Sequence, residues 1–305
     1  MQRRHSVRHL FWRGGVAAVS HAMMISGLYP LLPHALRAIG RRGGEEAGRF
    51  RSDGGAERAG ARGAERAAGR GDDRPGDRGR VHPVRVALAE WAMSAALSAA
   101  RPVGFLPLPG ARTRGPRPII VLHGYAQNRA NFLPLAFRLR RAGLGPIFGF
   151  EYWTLGRIAA GARQLGWFVE EVRQATGASS VDVIGHSMGG VVARYYVALA
   201  GGDGAVRHLI TLGSPHAGTD VSGMGIGHPT RELVLGSKLC TRLAAAPPPK
   251  HTRMTAIWSR SDALVPGGRQ PPIPGAEIVM YDDLGHVALL GSRRVARDII
   301  ERFSR

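Results

Sequence analysis

The chain of 305 residues is long enough for one large domain or two small ones, and 44% hydrophobic residues suffice for a sizeable core. Its formal net charge of +20 comes almost entirely from arginine. Because no zinc-finger, RRM or basic-helix pattern accompanies this charge, the sequence predicts no nucleic-acid partner, although an anionic membrane surface would attract it. The single cysteine, Cys240, excludes an intrachain disulfide and a cysteine-based metal site. No HExxH or EF-hand spacing occurs, so neither a metal nor a cofactor is predicted.

Residues 1–40 are predicted to be directed to a membrane. Four arginines precede an uncharged stretch of 23 residues, Gly14–Leu36. As a helix rising about 1.5 Å per residue, this stretch is long enough to span a bilayer. It is only moderately hydrophobic and contains Pro30 and Pro33. Three interpretations stay open: a membrane anchor, a signal peptide, or neither. The expected localisation is therefore membrane-associated or exported, in a protein of bacterial type.

Residues 41–80 are predicted to be a disordered linker. They are rich in glycine, alanine and charged residues, and Phe50 is their only large apolar residue. Such a segment cannot bury enough apolar surface to offset the entropy lost on ordering. The folded domain is therefore expected in residues 81–305.

The stretch Pro83–Ala100 opens this domain and predicts a helix, with proline at a plausible first position. Its polar stripe, formed by Glu90, Ser94 and Ser98, is narrow, so most of the circumference is apolar. Packing against the rest of the domain and lying on or in a membrane are the two interpretations.

From residue 117 onwards, apolar runs of strand type alternate with helical stretches. This alternation predicts an α/β fold, in which a mostly parallel central sheet carries helices on both faces. Ligands bind such sheets at the carboxyl ends of the strands. The predicted strands are Arg117–Gly124, Gly145–Trp153, Ser180–Ser187, Val206–Pro215, Arg253–Asp262 and Ala276–His286, and the predicted helices are Asn131–Gly143, Ile158–Gly177, Met188–Gly201 and Ser292–Arg305.

The segment Gly185–Gly189 fits the pattern G-x-S-x-G. In this arrangement Ser187 takes a strained turn between a strand and a helix, so that its hydroxyl stands clear of the backbone. Gly185 and Gly189 let the neighbouring backbone approach without a Cβ clash. The pattern is weak alone, but a preceding strand and a following helix make it specific. Ser187 is therefore the candidate nucleophile.

A serine hydroxyl is a poor nucleophile without a base. In the chain order Ser…Asp…His the base comes last, and His286 is the last histidine, at the end of the last predicted strand. A carboxylate must hold the imidazole in the correct tautomer. Asp262, which follows the strand "MTAIWS", is the preferred candidate. Asp220, which follows the preceding strand, remains the open alternative.

An anion that forms on a substrate carbonyl needs preorganised N–H donors. One candidate is the backbone N–H of Met188, directly after the nucleophile. The other is the N–H of Tyr125, in the loop after the first strand, where Gly124 gives the backbone room. His123 and His186 are expected to be structural.

Five stretches together carry a family resemblance: "VLHG", "GHSMGG", "LGSPHAG", "SRSDALVP" and "LGHVALL". Through them, residues 118–305 resemble an α/β-hydrolase of the bacterial triacylglycerol lipase type. The resemblance implies a serine hydrolase that cleaves carboxylic esters, lipid esters above all, through an acyl-enzyme on Ser187 with Asp262 and His286. An acyltransferase or thioesterase that uses the same triad remains an alternative. A non-catalytic, membrane-tethered interaction module is a further alternative, which the intact triad disfavours.

Thr230–Leu243 is predicted to be an amphipathic helix weakened by Gly236. Only about 35 residues separate Pro215 from Lys250, so any lid over the site is expected to be short. The apolar side chains of this region are expected either to line an acyl pocket or to pack in the core.

Overall fold

The computed structural model describes residues 83–106, 108, 117–220, 222 and 226–305. The predicted membrane-directed segment, 1–40, and the predicted linker, 41–80, lie outside these residues. Among the described helices, none combines the length and the apolar character that a membrane span requires.

Six strands form one parallel sheet in the order β2-β1-β3-β4-β5-β6. β1 and β3 are buried along their whole length. β1 accordingly is a continuous apolar run in the sequence, whereas β3 also contains the buried polar residues Asp182 and His186. The prediction of a parallel sheet is confirmed. The strands are β1 Ile119–Leu122, β2 Ile147–Phe150, β3 Val181–His186, β4 Val206–Leu212, β5 Arg253–Ser259 and β6 Ala276–Tyr281.

Helices cover both faces of this sheet, as predicted, and each face has its own apolar cluster. One cluster joins the sheet to α3 and α4 through side chains such as Val169 and Val192. The other joins it to α2 and α8 through Leu139 and Ile299. The helices are α1 Pro83–Ala99, α2 Leu133–Arg141, α3 Ile158–Thr176, α4 Met188–Leu199, α5 Pro229–Glu232, α6 Lys238–Ala244, α7 Ala288–Gly291 and α8 Arg293–Ser304.

The strands end earlier than the sequence predicts. The predicted strand Val206–Pro215 ends at Leu212, because Gly213 adopts a φ of +56° that turns the chain out of the sheet. β5 ends at Ser259, before Asp262, and β6 ends at Tyr281, before His286. Residues predicted at strand ends therefore lie in the loops that follow them.

Helix α1 turns two residues of its polar stripe, Glu90 and Ser94, inward, while Ser98 is exposed. Glu90 is 5% exposed and Ser94 is also buried, whereas Leu88 is 60% and Trp91 53% exposed. The helix packs against α7 and the chain around it, so the interpretation that α1 packs on the domain agrees with the structure. Val86 and Leu97 are buried with these polar residues, whereas other apolar side chains of the helix face outward.

The prediction of one helix over Thr230–Leu243 is wrong. Helix α5 ends at Glu232 and α6 begins at Lys238, with Gly236 between them at a φ of +70°. The Ser237 side chain starts the second helix by accepting a hydrogen bond from the backbone N–H of Cys240 at 3.2 Å. The left-handed glycine and this cap favour a turn over a continuous helix.

Candidate active site

Ser187 lies at the sharp turn between β3 and α4. Its φ of +54° and ψ of −125° are strained for a residue with a side chain. Two hydrogen bonds hold this conformation. The N–H of Ser187 donates to the carbonyl oxygen of Leu212 at 2.8 Å, and the N–H of Gly190 donates to the carbonyl oxygen of Ser187 at 3.1 Å. The turn predicted from G-x-S-x-G is thus hydrogen-bonded to both the sheet and the helix.

The glycines beside Ser187 are required by space. A Cβ on Gly185 would overlap the backbone of Gly190. A Cβ on Gly189 would lie 2.5 Å from the carbonyl oxygens of both Leu122 and His123. Backbone atoms cannot rotate away as a flexible side chain can, so any side chain here would push the backbone segments of the serine turn apart.

Gly189→Ala is expected to lower the free energy of unfolding by roughly 1–3 kcal/mol, the usual result of overpacking a closed space. Chemical denaturation of the purified protein measures this loss. The matched control is Gly268→Ala, where an added Cβ meets only the end of an arginine side chain at 3.9 Å. Equal stability of the two variants would contradict the close approach at Gly189.

His286 and Asp262 form a buried hydrogen-bonded pair. Nδ1 of His286 lies 2.7 Å from Oδ2 of Asp262, and the aspartate side chain is fully buried. The other carboxylate oxygen, Oδ1, accepts from the N–H groups of Leu264 at 2.9 Å and Val265 at 2.8 Å. These bonds fix the carboxylate and assign the Nδ1 proton of the imidazole, which leaves Nε2 as the basic nitrogen.

This pair meets the serine turn at the carboxyl edge of the sheet. His186, directly before Ser187, has its ring centroid 4.8 Å from that of His286, and its Nε2 lies 3.1 Å from the carbonyl oxygen of His286. A Cβ on Gly213 would lie 3.0 Å from Oδ2 of Asp262 and 3.2 Å from Nδ1 of His286. The structure therefore brings the pair of His286 and Asp262 to the residue before Ser187, at the edge of the sheet where β3, β5 and β6 end.

Opposite electrostatic effects act on the two neighbouring histidines, His186 and His286. Burial disfavours a charged His286, but the Asp262 carboxylate and, more weakly, Glu90 outweigh burial and raise the pKa of this imidazole. Burial, reinforced by the neighbouring charge on His286, holds the pKa of His186 well below its usual range. A proton taken up at this site therefore resides on His286.

Asp220, the alternative acid, lies elsewhere. Its exposed carboxylate forms an ion pair with Arg269, with 3.0 Å between Oδ2 and Nη1. Between the two candidate acids, the structure brings Asp262 to His286 and leaves Asp220 at the surface.

The two candidate oxyanion donors, Tyr125 and Met188, flank the serine turn. Met188 is buried at the first position of α4. Tyr125 lies in the loop after β1, where its hydroxyl donates to the carbonyl oxygen of Ile226 at 2.8 Å and accepts from the N–H of the same residue at 2.9 Å. The preceding N–H, of Gly124, already donates to Oε1 of Gln127 at 3.0 Å. The role of Tyr125 and Met188 as donors stays a prediction.

Parts of this chain are similar to known proteins. A family model described as the PGAP1-like alpha/beta domain matches residues 167–224, which include the serine turn. Triacylglycerol lipases from Pseudarthrobacter phenanthrenivorans and Burkholderia plantarii are each 44% identical to the chain over 57 residues. These alignments cover 19% of this chain and only 17% and 15% of the respective lipases.

Solved structures extend the likeness over most of the described domain. The mature Bacillus licheniformis lipase BlEst2 superposes with a TM-score of 0.53 at 14% identity, over 61% of this chain and 91% of that one. Aspergillus fumigatus lipase B gives 0.53 at 12% identity, over 65% and 54%. The chain has the α/β-hydrolase fold. This confirms the fold predicted from the sequence motifs, while the activity of the protein has to be inferred from its site.

Sequence reasoning missed Gln127. Besides accepting from Gly124, its Oε1 lies 3.1 Å from Nδ1 of His186. His186 thus bridges the loop after β1 and the segment of His286, so it is a buried hydrogen-bonding residue as well as a packed one. A neutral imidazole carries one N–H and donates to only one of these two oxygens at a time. No local pattern marks a glutamine in a loop for this role.

His123 is structural, as expected. It is buried, with Nε2 3.1 Å from Oε2 of Glu151 and Nδ1 3.0 Å from the carbonyl oxygen of Gly124. Burial disfavours ionisation of Glu151, but His123 and Arg129 outweigh it and lower the pKa of the carboxyl group. The hydrogen bond from His123 and the ion pair with Arg129 anchor the start of the loop that carries Tyr125. Within the described residues, no group of three or more potential ligands is placed to hold a metal ion.

Proposed function

We propose that this α/β-hydrolase is a serine hydrolase that cleaves carboxylic esters, lipid esters above all, through an acyl-enzyme. The observation that carries the proposal is the convergence of a strained, glycine-flanked Ser187 with the buried pair of His286 and Asp262. The names of the similar proteins, triacylglycerol lipases among the sequences and lipases among the structures, support the ester class.

In the proposed reaction the hydroxyl oxygen of Ser187 attacks the ester carbonyl carbon and gives its proton to Nε2 of His286. Asp262, already bonded to Nδ1, stabilises the imidazolium that forms. The carbonyl oxygen becomes an oxyanion that the N–H groups of Met188 and Tyr125 stabilise. His286 then returns the proton to the departing alcohol, which leaves an acyl group on Ser187. Water releases the acid by the same steps and regenerates the serine.

Exposed apolar side chains near the site support a lipid substrate. Ile226 is tied to the oxyanion loop through the Tyr125 hydroxyl, and Leu235 lies on the turn between α5 and α6. Trp153, also exposed, follows the carboxyl end of β2. Contact between these apolar side chains and a long acyl chain would favour binding by about 25 cal/mol for each Å² of apolar surface removed from water.

The acyl preference tests this assignment. We expect kcat/KM for p-nitrophenyl esters to rise from acetate through butyrate to octanoate. Ile226→Ser combined with Leu235→Ser should lower the octanoate value and leave the acetate value unchanged. Phe137→Ser, which removes an equally exposed side chain on α2, is the control. A sharp preference for acetate and butyrate would contradict a lipid substrate and leave a short-chain esterase. A product ester formed with an added alcohol would assign the protein as an acyltransferase.

We also propose that the protein associates with anionic membrane surfaces through its N-terminal part, with the outer face of α1 in contact with lipid. Val84, Leu88 and Trp91 recur at helical spacing on that face and are all exposed. Arg85 lies beside them, and the whole chain has a formal net charge of +20. An apolar face with an interfacial tryptophan and neighbouring cations suits an anionic bilayer surface.

Sedimentation of the full chain with vesicles of phosphatidylcholine and phosphatidylglycerol tests this association. We expect Leu88→Gln combined with Trp91→Gln to lower the bound fraction several-fold relative to Phe137→Gln. Binding that is unchanged in the double variant but lost on removal of residues 1–40 would assign the membrane contact to that segment instead.

A further inference from the structure

Glu90 reaches from α1 to the segment that carries His286. Its Oε1 accepts a hydrogen bond from the N–H of Val287 at 2.7 Å, and its Oε2 accepts from the N–H of Ala288 at 3.0 Å. These donors are the two residues that follow His286 in the chain. On the other side of the histidine, a Cβ on Gly285 would overlap the Glu90 carboxylate. The carboxylate is thus packed against both flanks of His286.

This placement is unusual for a carboxylate. Glu90 is 5% exposed, and burial raises the pKa of its carboxyl group, although the two N–H bonds and His286 counteract the rise. A buried carboxylate is costly unless charge and hydrogen bonds compensate for it. Here the compensation comes from the backbone next to His286 and from the imidazole itself.

We propose that Glu90 is a positioning residue for His286: it fixes the backbone of the histidine's segment and adds a second negative charge beside the imidazole. The proposal rests on the proposed function, in which His286 is the base. Three titratable groups surround that imidazole: Asp262 at Nδ1, His186 against the ring, and Glu90 from α1. Asp262 orients the ring, whereas Glu90 orients the chain that carries it.

The proposal makes α1 part of the active-site assembly. The helix lies before residue 118, where the motifs of the family resemblance begin. Its Glu90 nevertheless accepts a charge-assisted pair of hydrogen bonds from the last of these motifs, "LGHVALL". Ionised Glu90 stabilises imidazolium, which forms when Ser187 attacks. A neutral side chain of the same shape would lose this effect and one of the two N–H bonds.

The pH dependence of Glu90→Gln tests the proposal. We expect kcat to fall about tenfold with KM little changed, since a displaced base affects the transition state more than substrate binding. The acid limb of the kcat/KM profile should move to lower pH, because the charge that favours protonated His286 is gone. Asp182→Asn is the control, as it also removes a buried carboxylate, one bonded to Arg207 at the other end of β3.

The control is expected to lose stability without moving the acid limb. If Glu90→Gln lowers stability and activity but leaves the acid limb of the kcat/KM profile in place, the proposal is overturned and Glu90 has only a structural role. NMR titration of the His286 imidazole, in a Ser187→Ala background with and without Glu90→Gln, gives a reading that needs no activity. If Glu90→Gln leaves the pKa of His286 unchanged in this titration, the charge effect is overturned even where the proposed function holds. If the substitution lowers the pKa of His286, the charge effect is supported even where hydrolysis is absent.

Discussion

Ser187→Ala is expected to lower kcat/KM for ester hydrolysis by a factor on the order of 10⁴ to 10⁶. The substitution removes the only atom that forms the acyl-enzyme in the proposed reaction. The measurement compares p-nitrophenyl butyrate and octanoate hydrolysis by purified wild type and variant over the same pH range. Because the methyl group fits where the methylene stood, the thermal midpoint should change little.

Ser179→Ala is the matched control for this prediction. Ser179 is exposed just before β3, at the opposite end of the strand from Ser187. Its substitution should leave both activity and stability near wild type. Activity that survives in Ser187→Ala would exclude the acyl-serine mechanism, whatever the fold.

Asp262→Asn is expected to lower kcat by about 10⁴, whereas Asp220→Asn should leave it within a factor of about two. The amide of an asparagine at position 262 would donate to Nδ1 of His286, which forces the ring proton onto Nε2. His286 then holds a proton where it must accept one from Ser187. Asp220 is exposed and paired with Arg269, so its loss removes only a surface ion pair.

The comparison is measured under identical conditions, with the unfolding free energy of each variant determined alongside. Asp262 also accepts two backbone N–H groups, so its variant is expected to be less stable as well as less active. Activity measured at denaturant concentrations below the unfolding transition of each variant separates the loss of activity from the loss of stability. Equal losses in Asp262→Asn and Asp220→Asn would contradict the assignment of the acid.

Much of the fold was predictable because its signals are local. β3 carries the β-branched residues Val181, Val183 and Ile184, and the strand Ser180–Ser187 predicted there is close to the observed Val181–His186. The strand ends were less predictable, since Gly213 leaves the sheet at a positive φ that its neighbours in sequence do not encode. The helix predicted over Thr230–Leu243 failed for the same reason, at Gly236.

Helix α1 shows how a correct local pattern can be interpreted in more than one way. Its narrow polar stripe was visible in the sequence, but a polar stripe ordinarily faces water. Glu90 is instead buried, because the N–H groups of Val287 and Ala288 supply its partners from about 200 positions further along the chain. No periodicity within the helix carries that information.

The sequence by itself determined the alternation of strands and helices, the serine turn of Gly185–Gly189, and the position of His286 after the last strand. These features rest on interactions between residues close in the chain: backbone preference, side-chain periodicity and the space around a glycine. The tertiary structure decided which aspartate reaches His286, since Asp220 and Asp262 both follow a strand and only the paths of their loops separate them. It also decided the partnership of Glu90 with the histidine's segment, because burial of a charge depends on partners that only folding brings near.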